Sequence, residues 1–167
     1  SSHQLDQKIA ICLLCGILND TDGFTNSATT IDSIKIAAEL IKAGAKIHKI
    51  NHWLARSKTI GGLRLWGTAL SRLQTDQKKR IAFTYIKAGE CQEHDASEDE
   101  LDGLTNFLNV IADAEMFMLF RINSEHTRIS LRTKSDAIDV AKIAVQFGGG
   151  GHQKAAGLTL PYAIAGQ

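Results

Sequence analysis

The sequence predicts an α/β protein, with α+β character in its second half. Apolar residues recur at helical spacing through roughly the first 75 positions, whereas several segments after residue 80 alternate apolar and polar residues as strands do. The composition, 44% hydrophobic and 22% charged in 167 residues, is that of an ordinary globular chain. We therefore expect a helical unit over residues 1–75 and a small mixed-sheet unit over residues 80–167, separated by the polar residues 74–79.

Four helices are predicted in the first unit. Residues 5–18 carry apolar side chains around most of the helix circumference, which predicts a buried helix. Thr29 begins a sequence typical of a capping box, so we expect it to be the N-cap of the second helix. The predicted helices cover residues 5–18, 30–43, 47–56 and 62–73.

The second unit is predicted to combine strands with helices. Ser97 and Glu100 form a capping box, and Ser135 or Asp136 is expected to cap the last helix. Five residues join the two central strands, which indicates a hairpin. The predicted elements are a strand at 80–86, an acidic loop at 90–97, a helix from 97 to about 110, strands at 116–122 and 128–132, a helix ending near 147, and a strand at 158–160.

A run of four glycines, Gly148, Gly149, Gly150 and Gly151, stands directly before His152. Such a backbone can approach a ligand closely and can adopt dihedral angles that other residues avoid. Its successive N–H groups can surround an anion, and phosphate is the anion we expect. Glycine runs are also common as flexible linkers. A linker is the weaker interpretation here, because a helical segment precedes the run and Ala-Ala-Gly follows it closely.

One strand carries two arginines and a hydroxyl on a single face. Arg128, Ser130 and Arg132 alternate with Ile129 and Leu131, so they point the same way. Guanidinium groups match the geometry of phosphate oxygens, which makes this face a candidate phosphate site. A solvent-facing strand explains the pattern equally well from the residues alone. The last helix and last strand should bring the glycine run back towards this strand.

An acidic turn follows the first helix. Asp20 and Asp22 lie in the segment Asn-Asp-Thr-Asp-Gly-Phe, where a carboxylate could hold a hard divalent cation. Composition alone favours an ordinary Asp-rich turn.

The composition and the lengths of the apolar runs indicate the cellular compartment in which we expect the protein. No apolar run reaches the roughly 20 residues that span a membrane. No secretory signal pattern is present at the start, and three cysteines without framework spacing favour a reducing compartment. We expect a cytoplasmic protein. The net charge of +1 does not indicate binding to long duplexes.

These motifs together resemble the DHH phosphoesterase superfamily, and its oligoribonuclease (nanoRNase/pAp-phosphatase) branch in particular. The glycine–histidine run is the most specific part of the resemblance, and Asp20 with its neighbours resembles the last motif of the catalytic domain. The residues that carry the resemblance lie at 16–24, 129–133, 138–141, 147–152 and 155–157.

The resemblance implies a helical C-terminal remnant of the DHH catalytic domain over residues 1–75 and the DHH-associated substrate-binding domain over residues 80–167. It implies two Mn²⁺ ions in the full-length enzyme, with Asp20 as a catalytic metal ligand. The implied substrate-binding residues are Arg132, Gly148, Gly149, Gly150, Gly151 and His152. The implied partner is a short RNA or nucleotide substrate, such as 3′-phosphoadenosine 5′-phosphate.

The sequence also departs from the family pattern. Residues 1–19 match neither the D-x-D pair nor the Asp-His-His triplet, and Asp22 stands where the family more often has Gly. The chain is therefore expected to be a catalytically incomplete C-terminal piece. Two alternatives stay open: a non-catalytic nucleic-acid-binding module, like the similar domain of alanyl-tRNA synthetase, and a cyclic-dinucleotide phosphodiesterase. The sequence leaves the oligomeric state undecided.

Overall fold

The structure is a computed structural model that describes residues 5–26, 28–55, 58–108 and 113–164. The chain divides into two compact units, residues 1–57 and 58–167. The α/β class predicted from the sequence is confirmed. The division falls before residue 58, earlier than the expected linker at 74–79, because the fourth helix packs against elements of the second unit.

The first unit is helical. Asp6 caps α1 and Thr30, rather than Thr29, caps α2, since the Thr30 hydroxyl accepts the Ser33 N–H at 3.0 Å. The helices among its described residues are α1 (Gln7–Asp20), α2 (Ile31–Lys42) and α3 (Ile47–Ala55).

The expectation that the first helix is buried all round is wrong. Ala10, Leu14 and Leu18 are buried in the core of this unit, whereas Ile9 and Leu13 are 52% and 50% exposed. Both α2 and α3 contact α1, and within the described residues they cover a single side of it. The apolar circumference therefore exceeds the surface that these two helices bury.

The second unit contains a six-stranded mixed sheet with helices on its faces. Its strands are β1 (Gln74–Asp76), β2 (Ile81–Lys87), β3 (Met116–Ile122), β4 (Thr127–Thr133), β5 (Gly150–His152) and β6 (Ala155–Leu160). The strand order is β1-β2-β3-β4-β6-β5. β2 and β3 are parallel, the other neighbours are antiparallel, and the predicted β3–β4 hairpin is confirmed.

Two helical layers cover opposite faces of this sheet. One layer packs Leu65 and Leu104 against Phe117 and Leu119 in the centre of the sheet. On the other face α7 packs against β4 and β6. The helices of this unit are α4 (Ile60–Ser71), α5 (Ala88–Glu93), a 3-10 helix (Glu98–Leu101), α6 (Leu104–Leu108) and α7 (Val140–Val145).

Several predicted elements of this unit are wrong in detail. The first half of the predicted acidic loop at 90–97 is helical, because α5 extends to Glu93. The helix predicted from 97 to 110 is divided, because Gly103 takes a φ of +87° between the 3-10 helix and α6, and residues 109–112 lie outside the described part. Asp139, not Ser135 or Asp136, caps α7 through bonds from the Ala141 and Lys142 N–H groups.

Candidate functional site

The first two glycines of the run close the C-terminal end of α7. The Gly148 N–H donates to the Val145 carbonyl at 3.1 Å, and the Gly149 N–H donates to the Ala144 carbonyl at 2.9 Å. Gly148 has a φ of +76°, which is typical of the residue that closes a helix. These two N–H groups are therefore occupied by helix carbonyls and are not free for an anion.

Gly150 and Gly151 belong to strand β5, and Gly149 lies directly before this strand. A Cβ atom on Gly149 would lie 2.3 Å from the Gly157 carbonyl oxygen, and one on Gly151 would lie 2.5 Å from the Ala155 carbonyl oxygen. Glycine at these positions lets the run pack directly on the backbone of β6. At Gly150 a Cβ would meet nothing within 4 Å. The run is thus a closely packed part of the sheet and not a linker.

Sheet register places the arginine strand, β4, on one side of β6 and the glycine run on the other side. Ser130 is opposite Gly157 across the β4–β6 pair, and Gly157 is opposite Gly150 across the β6–β5 pair. Opposed residues of antiparallel strands share a face, so these three residues form one row. The expectation that the last helix and strand return the glycines to the arginine strand is therefore confirmed.

A cleft of about 270 Å³ opens on this face. Two arginines, Arg121 and Arg128, contribute its positive charge, and Ser130 and Thr159 contribute hydroxyls. Its remaining walls are largely small or apolar, namely Ile129, Gly148, Gly149, Gly157 and Leu158. This combination of guanidinium groups, hydroxyls and glycine suits an anionic ligand.

Arg121 was not among the site residues predicted from the sequence. Its side chain is 15% exposed, and its Nη2 donates to Asp102 Oδ1 at 3.1 Å. Its Nε atom is buried and has no hydrogen-bond partner among the described residues. The signal that could have revealed it is the hairpin register, which sets Arg121 directly opposite Arg128.

Arg132 and His152 occupy another row of the same face. Arg132 is opposite Ala155, and Ala155 is opposite His152, so their Cα atoms are about 10 Å apart, twice the strand spacing. Arg132 Nε donates to Asn106 Oδ1 at 2.9 Å, while His152 is exposed. The described residues that line the cleft do not include this pair. Its role in binding stays a prediction.

Several positively charged side chains lie near Asp102. Burial lowers the pKa of Arg132, and the nearby Arg121 guanidinium lowers it further against the opposing pull of Asp102. Burial also lowers the pKa of Lys58, whose Nζ donates to the Asp102 carbonyl at 2.7 Å. Arginine keeps its charge at all physiological pH values, so the arginines on this face of the sheet stay positively charged.

The predicted metal ligand Asp20 is the last residue of α1 and its side chain is exposed. Its carbonyl accepts a bond from Asn26 Nδ2 at 2.8 Å, which tightens the turn after the helix. Across residues 5–26, 28–55, 58–108 and 113–164, no group of three or more His, Cys, Asp or Glu side chains could hold a metal ion. One carboxylate does not make a two-metal centre, so the donors present do not fit one.

A family model described as the DHHA1 domain matches residues 69–166. The chain belongs to the DHHA1 family. The predicted resemblance to the DHH superfamily is confirmed by this match together with the curated relatives. The DHHA1 match covers α7, the arginine strand and the whole glycine run, so the cleft lies inside it.

The DHHA1 chain is similar to two curated proteins named bifunctional oligoribonuclease and PAP phosphatase NrnA. The protein from Thermus thermophilus is 28% identical over 92% of this chain and 45% of its own length. The protein from Mycoplasma genitalium is 29% identical over 89% of this chain and 45% of its own length. The chain thus spans about half the length of these relatives.

A solved structure shares the fold. An exopolyphosphatase-related protein from Bacteroides fragilis superposes with a TM-score of 0.84 at 24% identity, covering 97% of this chain and 46% of that chain. In the part of the DHHA1 chain that the structure describes, none of the helices is long and apolar enough to cross a membrane.

Proposed function

We propose that this chain is the substrate-binding part of a cytoplasmic phosphoesterase that hydrolyses short oligoribonucleotides and 3′-phosphoadenosine 5′-phosphate. The relatives named oligoribonuclease and PAP phosphatase support this substrate class. The observation that carries the proposal is the cationic, glycine-walled cleft on a DHHA1 sheet face. A compact site of this kind suits a phosphorylated chain end better than a long nucleic acid.

In this proposal the sheet face holds the ligand and does no bond breaking itself. Ser130 in the cleft would donate its hydroxyl to the ligand, and Arg132 and His152, in the row of side chains next to the cleft, would donate to its phosphate oxygens. Holding the end of the substrate at fixed distance from a catalytic centre would set which phosphodiester bond reacts. In a longer protein Asp20 would supply one ligand to Mn²⁺, whose role is to activate water.

Binding of a 5′-phosphorylated adenosine dinucleotide to the 167-residue chain tests this proposal. We expect titration calorimetry to detect binding, and we expect Arg132→Ala and His152→Ala each to weaken it about 10-fold or more, since a bond to a charged group contributes roughly 1.5–3 kcal/mol. Arg80→Ala is the matched control, because Arg80 precedes β2, which β3 separates from β4, and its side chain pairs with Glu115. Thermal unfolding of each variant separates a lost contact from a lost fold.

Unchanged dinucleotide affinity in both the Arg132 and the His152 variants would refute these residue roles. Absence of any dinucleotide binding by the unmodified chain would refute the proposed function.

A further inference from the structure

Arg121 and Arg128 are directly opposite each other on neighbouring strands. The β3–β4 register pairs them, so both side chains leave the same sheet face, and both line the cleft. Like charges in this position repel each other. A pair of guanidinium groups so placed is stabilised when an anion lies between or beside them.

The protein's own carboxylates neutralise this pair only partly. Asp102 Oδ1 reaches one arm of the Arg121 fork, Nη2, and leaves the other arm, Nε, buried without a partner among the described residues. Glu98 is 3.9 Å from Arg128 Nη1, at the limit of an ion pair. An oxyanion with two oxygens on one side fills both arms of such a fork.

The surroundings leave room for that oxyanion. A void of about 10 Å³, which Arg121 and Arg128 both line, has room for no more than one water molecule, and a water cannot balance their charge. The cleft of about 270 Å³ is smaller than the roughly 300–1,000 Å³ of pockets for drug-sized ligands, and it suits a phosphate with an attached sugar. Ser130 and Thr159 bring hydroxyl donors to its wall.

The Asp102 side chain can be displaced from Arg121. Its side chain is 73% exposed, and Gly103 follows it with a φ of +87° at the break between the 3-10 helix and α6. Its contact with Arg121 is a single bond from a solvent-facing side chain, which is weaker than a two-bond contact in a sheltered cleft.

We propose that Arg121 and Arg128 together bind a phosphate group of the ligand in this cleft, and that the Asp102 carboxylate competes with that phosphate for Arg121. This inference deepens the proposed function and rests on its phosphorylated substrate class. Phosphate oxygens take both Nε and Nη2 of Arg121, and Asp102 is displaced towards solvent.

The first test is loss of binding, measured on the 167-residue chain with inorganic phosphate and with the phosphorylated dinucleotide. Arg121→Lys keeps the charge and removes the fork, so affinity for both probes should fall roughly 10-fold. Arg80→Lys makes the same chemical change at the far end of the sheet and should leave affinity within about twofold.

The second test is gain of binding, which a misfolded variant cannot imitate. Asp102→Asn should tighten phosphate binding by about threefold or more, because the competing carboxylate is gone. Asp99→Asn makes the same change in net charge within the 3-10 helix that Asp102 follows, and it should have a smaller effect. In the Arg121→Lys background the gain from Asp102→Asn should disappear, as a double-mutant cycle requires of coupled residues.

The inference is overturned if Arg121→Lys leaves phosphate affinity unchanged, or if Asp102→Asn tightens it no more than Asp99→Asn does. The proposed function survives that result when the dinucleotide still binds through Arg132 and His152. The reverse result, Arg121-dependent phosphate binding without any dinucleotide binding, supports the inference and removes the proposed function.

Discussion

Gly149 shows how one absent side chain shapes the site. Its Cα faces the backbone of β6, with the Gly157 carbonyl oxygen 2.3 Å and the Leu158 Cα 2.8 Å from where a Cβ would stand. Backbone cannot move aside as a flexible side chain can, so Gly149→Ala should lower the free energy of unfolding by about 1–3 kcal/mol.

Gly150→Ala is the matched control for this prediction. Apart from its own chain neighbours, no described atom lies within 4 Å of its Cβ position and its φ is not positive, so stability should stay within about 0.5 kcal/mol. Urea unfolding of the two variants measures the difference. Equal stability of the two variants would contradict the packing that we describe for the glycine strand.

Glu90 makes the second unit sensitive to acid. Burial acts to raise the pKa of its carboxyl, but bonds from Arg72 and from the Lys87 N–H outweigh burial and lower that pKa. A lowered folded-state pKa stabilises the fold above the unfolded value of about 4.3, and this contribution is lost as pH falls towards the folded value. The stability advantage of the wild type over Glu90→Gln should therefore shrink between pH 7 and pH values below about 4.

Unfolding can be followed by Trp66 fluorescence in a Trp53→Phe background, because Trp66 is partly buried against the core of the second unit and Trp53 is 59% exposed. Glu39→Gln is the control, since Glu39 pairs with Lys42 on the surface. A gap between wild type and Glu90→Gln that stays constant with pH would show that the ion pair does not titrate as described.

Single residues were predictable where strand alternation alone decides their direction. Arg128, Ser130 and Arg132 share a face as expected. Arg121 was missed because one arginine near the end of an apolar strand gives no pattern, and its importance depends on the partner opposite it. Asp102 was missed because a continuous helix was expected there, whereas Gly103 takes a φ of +87° and breaks it.

In helix α1 some apolar side chains are buried and others of the same type are exposed. Leu14 is fully buried and the adjacent Leu13 is 50% exposed. Leu14→Ala should destabilise the first unit by about 2–5 kcal/mol, because the substitution leaves a cavity in the helical core. Leu13→Ala should cost less than about 1 kcal/mol. Thermal unfolding followed by circular dichroism measures both, and similar losses would contradict the one-sided packing of α1.

Elements with strong local signals were predicted well. The helices of the first unit and the β3–β4 hairpin follow from apolar spacing and a short connection. Strand β1 has three polar residues and β5 has two glycines, so neither carries a strand signal. Each exists because its backbone pairs with a neighbouring strand, which no local pattern reveals.

The molecule as a whole divides into units with separate cores. The second unit holds two hydrophobic clusters of its own, one on each face of the sheet. Residues 58–167 expressed alone should therefore fold cooperatively and should bind inorganic phosphate within about threefold of the longer chain. Calorimetric unfolding and a phosphate titration measure this. A shortened protein without a cooperative transition would show that the first unit is required for folding.

Catalysis is a property that we expect only of a longer protein. The described residues contain no cluster able to hold metal ions, and one carboxylate cannot provide a two-metal centre. The 167-residue chain with added Mn²⁺ should show negligible hydrolysis of the phosphorylated dinucleotide while still binding it. Chromatographic detection of mononucleotide product in amounts that rise with protein concentration would contradict this expectation.

Both borders of the sheet are strands of three residues. An exposed border is where strands of separate molecules can join, and long apolar borders promote fibrils. One border here displays Gln74, Thr75 and Asp76, and the other displays two glycines and an exposed histidine. Neither supplies apolar side chains for an incoming strand, so intermolecular sheet growth should not be the route by which this chain aggregates.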